Sequence, residues 1–243
     1  MNESKRLKLI CCDVFARLAY AAIARAERVV DAEFLPMLSH TEPSKLRSML
    51  QQRIDNTDPA VYGKLLLGYC LCGNATAGLS FPVPAVMPRA HDCCAVFMGS
   101  QSRFLAEFGD GLSTRWCTCG YYERGRYDSF FEDGFFNTNP EYIKLAQEYG
   151  EDNAEYVWHT LHPAPETSES VYIRIDGYEY GGTEALYRKE TESAGKTLRT
   201  IQGDASWFFR LVNGPWDNEG FLLINPGKSV EAVYDMREVV RAV

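Results

Sequence analysis

The stretch Lys64–Asn74, "KLLLGYCLCGN", runs an apolar segment into two cysteines one residue apart and stops at Gly73 and Asn74. A short unbroken apolar run closed by turn residues reads as a strand buried on both faces, the kind that fills a parallel sheet. Upstream, "LKLICC" (7–12) has the same character, and an Ala-rich helical pattern follows over 13–29 with charges spaced along one side. "VDAEFLP" (30–36) is a further strand. The segment "TEPSKLRSMLQQRID" (41–55) offers Thr41 as N-cap, Pro43 early in the helix, and Leu46, Met49 and Ile54 as its apolar face. Downstream come a strand in "VPAVMPR" (83–89) and a helix in "DCCAVFMGSQSRFLAEF" (92–108) that begins near Asp92.

Strand and helix units alternating at this length predict an α/β fold, a doubly wound, mostly parallel sheet with helices on both faces, over residues 1–125. Residues 126–140, "RYDSFFEDGFFNTNP", are rich in turn formers and read as a connection. A second α/β half is expected over 141–243, either as its own lobe or completing the same sheet. Its pattern is a helix at 141–162, a strand in "SVYIRID" (170–176), a helix near 182–195, and β-like runs at 197–213 and 220–225.

Composition narrows the function classes. The 243 residues carry a formal charge of −8, and no basic block exceeds "SKRLK", which argues against a protein that coats nucleic acid or anionic lipid. The basic start resembles a secretory leader until Asp13 and Arg17 interrupt its apolar stretch. Nothing approaches the roughly 18 apolar residues of a membrane span. A cytoplasmic protein without a membrane or nucleic-acid partner is therefore expected, and in that compartment thiols stay reduced.

All eight cysteines come in close pairs, at 11 and 12, 70 and 72, 93 and 94, and 117 and 119. Each pair sits at or just beyond the C-terminal end of a candidate strand. In an open parallel sheet those ends face one crevice, where ligands bind, so the pairs are expected to converge. Adjacent residues in an extended chain point to opposite faces, so one of each Cys-Cys pair can enter the crevice, whereas both of each Cys-x-Cys pair can. With His91 two residues before Cys93, the inventory suffices for a four-coordinate metal. A helix starting near Asp92 would also favour thiolate at Cys93 and Cys94 through its positive end.

Plainer readings stand beside these. A free cysteine is among the most buried residue types and serves as core filler. His91 can be a hydrogen-bonded structural histidine. Gly73 and Asn74 can be a simple turn or present N–H groups to an anion, and Arg89 can be an ion-pair partner or a substrate clamp. His40 reads as a surface or capping residue, and His159 and His162 as histidines at a helix end.

The runs "LLLGYCLCGNATAGL" (65–79) and "VMPRAHDCCAVFMGSQSRF" (86–104) resemble the signature of an uncharacterised family, domain of unknown function one-six-three-eight, of methanogenic archaea and anaerobic bacteria. "LICCDVFARL" (9–18) and "AEFLPMLSHTEPSKLRSMLQQRID" (32–55) are similar to its first units, so the resemblance covers about residues 7–124. It implies a metal-binding core of Cys12, Cys72, His91 and Cys93. Cys11, Cys70, Cys94, Cys117 and Cys119 stand where the family has other residues, as additional ligands or outer thiols. Gly73, Asn74 and Arg89 are the candidate substrate-binding residues.

The resulting expectation is a thiolate-rich metalloprotein holding zinc or an iron–sulfur cluster. The resemblance links it to methyl transfer in anaerobic one-carbon metabolism, with a small-molecule substrate and a corrinoid protein as partners. It can be a metal-dependent, methyltransferase-related enzyme. Two alternatives remain open, a non-catalytic metal- or corrinoid-binding accessory protein and a metal-free dithiol redox protein.

Overall fold

Leu65, Leu66 and Leu67 are fully buried, as a strand covered on both faces requires. The computed structural model describes residues 5–37, 43–109, 115–127, 140–150, 153–154, 156–157, 160 and 168–243. Four strands run parallel in the order β2–β1–β3–β4: β1 (Arg6–Cys12), β2 (Val30–Leu35), β3 (Tyr62–Gly68) and β4 (Ala85–Pro88). A second parallel sheet has the order β5–β6–β7, with β5 (Arg115–Cys117), β6 (Glu169–Arg174) and β7 (Thr197–Gln202). β8 (Phe221–Ile224) returns to the first sheet and pairs antiparallel with β4, making it five-stranded and mostly parallel. β9 (Val230–Ala232) and β10 (Val240–Ala242) form a small antiparallel pair.

The connecting helices are α1 (Ala16–Ile23), α2 (Pro43–Asp55), α3 (Cys93–Met98), α4 (Gln101–Phe108), α5 (Cys119–Tyr127), α6 (Pro140–Tyr149), α7 (Thr183–Ser193) and α8 (Ser206–Asn213). A 3-10 turn over Asp13–Phe15 precedes α1. Core side chains of both sheets, Leu66 and Ile173 among them, belong to one apolar cluster. β5 comes from the first half of the chain and pairs with β6, while β8 comes from the second half and joins the first sheet.

Three expected elements differ. The helix expected over 13–29 is the 3-10 turn and α1, which ends at Ile23. The single helix over 92–108 is two, because Gly99 adopts a left-handed conformation and Ser100 then caps α4, its side chain accepting from Arg103 N–H. The β-like run 197–213 is strand only to Gln202. Trp207, Phe208, Leu211 and Val212 recur at helical spacing and bury one face of α8, which packs on α1 and β3. Thr41, His40, His159 and His162 lie outside the described residues.

Candidate functional site

β1, β3 and β4 are parallel, so Cys12, the segment Tyr69–Asn74 and the segment His91–Cys93 all leave the sheet at one edge. Pairing continues past the strands: Leu71 N–H donates to Ala90 C=O at 2.9 Å and Cys72 N–H to His91 C=O at 2.8 Å. The chain then turns through three consecutive positive φ angles, 48° at Cys72, 61° at Gly73 and 69° at Asn74. A non-glycine residue there is uncommon, and holding Cys72 so costs about 1 kcal/mol or more. On the neighbouring segment Asp92 is the N-cap of α3, its carboxylate accepting from Cys94 N–H at 2.9 Å and Ala95 N–H at 3.4 Å.

The thiols at this edge act on one another. Burial comes first in pushing the Cys93 thiol well up, followed by the Asp92 carboxylate and the sulfurs of Cys72 and Cys12. The buried Cys70 thiol is raised by burial and by a hydrogen bond shared with Cys72, with Cys93 and Asp92 adding to it. Two phenols, Tyr69 buried and Tyr121 partly buried, face the same sulfurs. Tyr69 is raised by burial and then by Cys12, Cys11 and Cys72, and Tyr121 by burial and then by Cys93, Cys12 and Cys117. Burial, aided by Cys72, lifts Asp92 to about 6 against its two backbone hydrogen bonds. The leading causes of the shifts of Cys11, Cys70, Cys93 and Cys94 are burial and the neighbouring thiols and carboxylates. The expectation that a helix start would favour thiolate at Cys93 and Cys94 is therefore reversed. α3 has six residues, and burial beside Asp92 outweighs its dipole.

The structure thus brings Cys12, Cys70 and Cys72 each within range of Cys93, and Cys70 within range of Cys72, with Asp92, Tyr69 and Tyr121 beside them. Cys11 points the other way, its Sγ 3.3 Å from Cys12 C=O and its side chain filling the space that the missing Cβ of Gly68 leaves. Cys94 is buried in the core. Cys117 bonds to Thr118 C=O at 3.4 Å in a cluster with Tyr172 and Tyr187, and burial pushes its thiol up to about 12. Cys119 Sγ lies 3.5 Å from Thr183 Oγ1, at the start of α7. Gly120 lets α5 approach, since a Cβ there would collide with Val14 C=O, and Tyr121 on α5 links the two thiol groups.

His91 sits beside the cluster without entering its field. Its Nε2 is buried and has no hydrogen-bond partner among the described residues, and burial lowers its pKa with no thiol contributing. The turn at Gly73 and Asn74 is anchored from α2, where Arg47 donates to Asn74 C=O at 2.6 Å. Arg89, a candidate for holding substrate, directs its guanidinium to the carbonyls of Phe221 and Glu238, each at 3.2 Å, and of Val240. The sequence marks Asp92 only as the start of a helix. Tyr69 and Tyr121 were visible only as neighbours of cysteines, inside "GYCLCG" and "CTCGYY".

A soft-metal ion suits this donor set. Three or four thiols and a carboxylate share this edge, and a bound cation would relieve both the burial and the repulsion that now keep the thiols protonated. His91 Nε2 adds an unpartnered buried nitrogen next to them. Among the described residues no group of three His, Cys, Asp or Glu side chains is already set at ligand spacing, so capture of an ion requires side-chain rotation. A cavity of about 700 Å³ lies along α7, its lining without Cys12, Cys70, Cys72 or Cys93, with Thr183, Arg174 and Arg188 in its wall and Glu184 bonded to both arginines.

No curated protein and no solved structure matches this chain. One family does, and it extends beyond the segment carrying the sequence resemblance, through β5, β6 and β7 to the start of α8, while starting after Cys12. With residues 34–207 matched, more than half of its length, the chain belongs to the family described as Protein of unknown function (DUF1638).

Proposed function

We propose that Cys12, Cys72 and Cys93 hold a zinc ion or an iron–sulfur cluster at the C-terminal edge of the first sheet, with Cys70 and His91 as the further donors. The observation that carries this reading is the sharing of one edge by these thiols and Asp92, whose mutual repulsion follows burial in raising Cys93 and Cys70. When bound, zinc would supply a Lewis acid that activates a substrate thiol as thiolate, the chemistry of methyl transfer to sulfur that the family resemblance suggests. The chain's own groups surround that position. Burial raises Asp92 in the metal-free chain, and the phenols of Tyr69 and Tyr121 stay protonated beside the sulfurs. The left-handed turn fixes Cys72 before any ion arrives.

A second reading, a metal-free dithiol couple, draws on the hydrogen bond between Cys70 and Cys72. Metal and sulfide analysis of protein purified without oxygen separates the two. The metal reading expects roughly one zinc, or iron with matching sulfide, per chain. Cys72→Ser and Cys93→Ser should each lose most of it, because a serine oxygen is a poor soft-metal ligand. Metal content equal to the parent's in both variants sinks the assignment. A metal-free parent whose Cys70 and Cys72 oxidise reversibly supports the couple.

A further inference from the structure

The opposite edge of the first sheet holds a cavity of about 340 Å³, toward the small end of the range for ligand pockets. It opens where β1 and β3 begin and where the chain enters β4, and its wall includes Lys5, Arg28, Lys64, Tyr62, Trp216 and Pro84. We propose that this cavity binds a small molecule carrying a phosphate group on a flat apolar body. The proposal is independent of the thiol site.

Charge makes the first half of the argument. Three cationic side chains line the cavity in a chain whose net charge is −8, and no acidic residue shares the lining. Lys5 donates to Pro59 C=O, and neither it, Arg28 nor Lys64 has an ion pair among the described residues. Asp31, bonded to the lining residue Tyr62, is engaged by Arg6 at 3.2 Å and by the Tyr62 hydroxyl, which donates to it at 3.0 Å. Lys64 is held by an aromatic face instead of an acid, its Nζ 4.0 Å from the Trp216 ring centroid. Burial, with the repulsion of Arg28, lowers its pKa. The cavity along α7 is the contrast, because there Arg174 and Arg188 both close on Glu184. Like charges gathered in a concavity without a counter-charge are an anion site, and a guanidinium beside an ammonium suits the several oxygens of a phosphate.

Shape makes the second half. Trp216 Nε1–H donates to Leu211 C=O at 2.9 Å, which fixes the indole plane, and Pro82, Val83 and Pro84 form a rigid apolar wall. A flat body gains contact there without ordering flexible side chains.

Phenyl phosphate titrated into the full chain by calorimetry, with inorganic phosphate alongside, tests this. Saturable binding at one site is expected, about tenfold or more tighter for phenyl phosphate than for inorganic phosphate. Arg28→Gln and Lys64→Gln should each weaken it about tenfold, whereas Cys93→Ser should bind as the parent does. Arg28 is exposed, so its variant separates charge from folding even if Lys64→Gln disturbs β3. Absence of saturation at about 10 mM phenyl phosphate, or parent-like binding by Arg28→Gln, overturns the site. Equal affinity for the two probes overturns the flat apolar body.

Discussion

Asp92 shows how one side chain can serve local structure and site chemistry together. As the cap of α3 it must accept from two backbone N–H groups, and in that position it is buried beside Cys72 and Cys93. Its folded pKa of about 6 lies above its ordinary 3.8, so between those values the folded chain keeps a proton that the unfolded chain releases. Stability of the metal-free protein therefore falls as pH rises through that window, by on the order of 3 kcal/mol at full ionisation. Asp92→Asn keeps an oxygen to cap the helix and removes the titration. Urea unfolding with a chelator present, at pH values from 4 to 7, should show the decline as the difference between parent and variant, the lowered carboxylates of Glu184, Asp217 and Asp235 contributing equally to both; parallel profiles would assign the slope to other groups. Gly68 and Gly120 belong to the same scale, since each is a place where a Cβ would displace Cys11 or α5 and with it the site's geometry.

Elements decide which thiols meet. β1, β3 and β4 are parallel and adjacent, so their C-terminal ends are neighbours, and the residues following them share one edge. Cys117 ends β5, in the other sheet, and its contacts and those of Cys119 run to Thr118, Tyr172 and Thr183. Replacing Cys117 and Cys119 together by serine should accordingly leave the bound metal in place, read by metal analysis after gel filtration. Loss of metal as complete as in Cys93→Ser would make them direct ligands and join the two thiol groups into one cluster. The pairing of cysteines with strand ends was legible, because short apolar runs closed by turn residues announce buried strands. The division of one expected helix into α3 and α4 was not weighed, although Gly99 and Ser100 stand in the sequence as a stop and a cap.

At the scale of the molecule, the C-terminal segment closes the first sheet: β8 covers the edge of β4, and Arg89 reaches across to the carbonyls of Phe221, Glu238 and Val240. Arg89→Met should lower stability by about 1–3 kcal/mol, by loss of charge-assisted hydrogen bonds. Metal content should stay at the parent's level. Denaturant midpoints and metal analysis check both, and a loss of metal with unchanged stability would return Arg89 to the site. The return of β8 could not be read from "FLLI", since an apolar run carries no record of its partner strand or its direction. The aromatic, β-branched content of 206–213 looked like strand, and its burial against α1 and β3 made it helix. What the sequence by itself determined is the α/β alternation and the clustering of cysteines at strand ends, because periodicity and turn chemistry are local properties of the chain. Only the tertiary structure decided that Cys12, Cys72 and Cys93 share an edge with Asp92 and two phenols, that Cys11 turns into the core, and that Arg89 secures the C-terminal segment. Those outcomes depend on strand order, on sheet face and on burial, which arise only when distant segments pack.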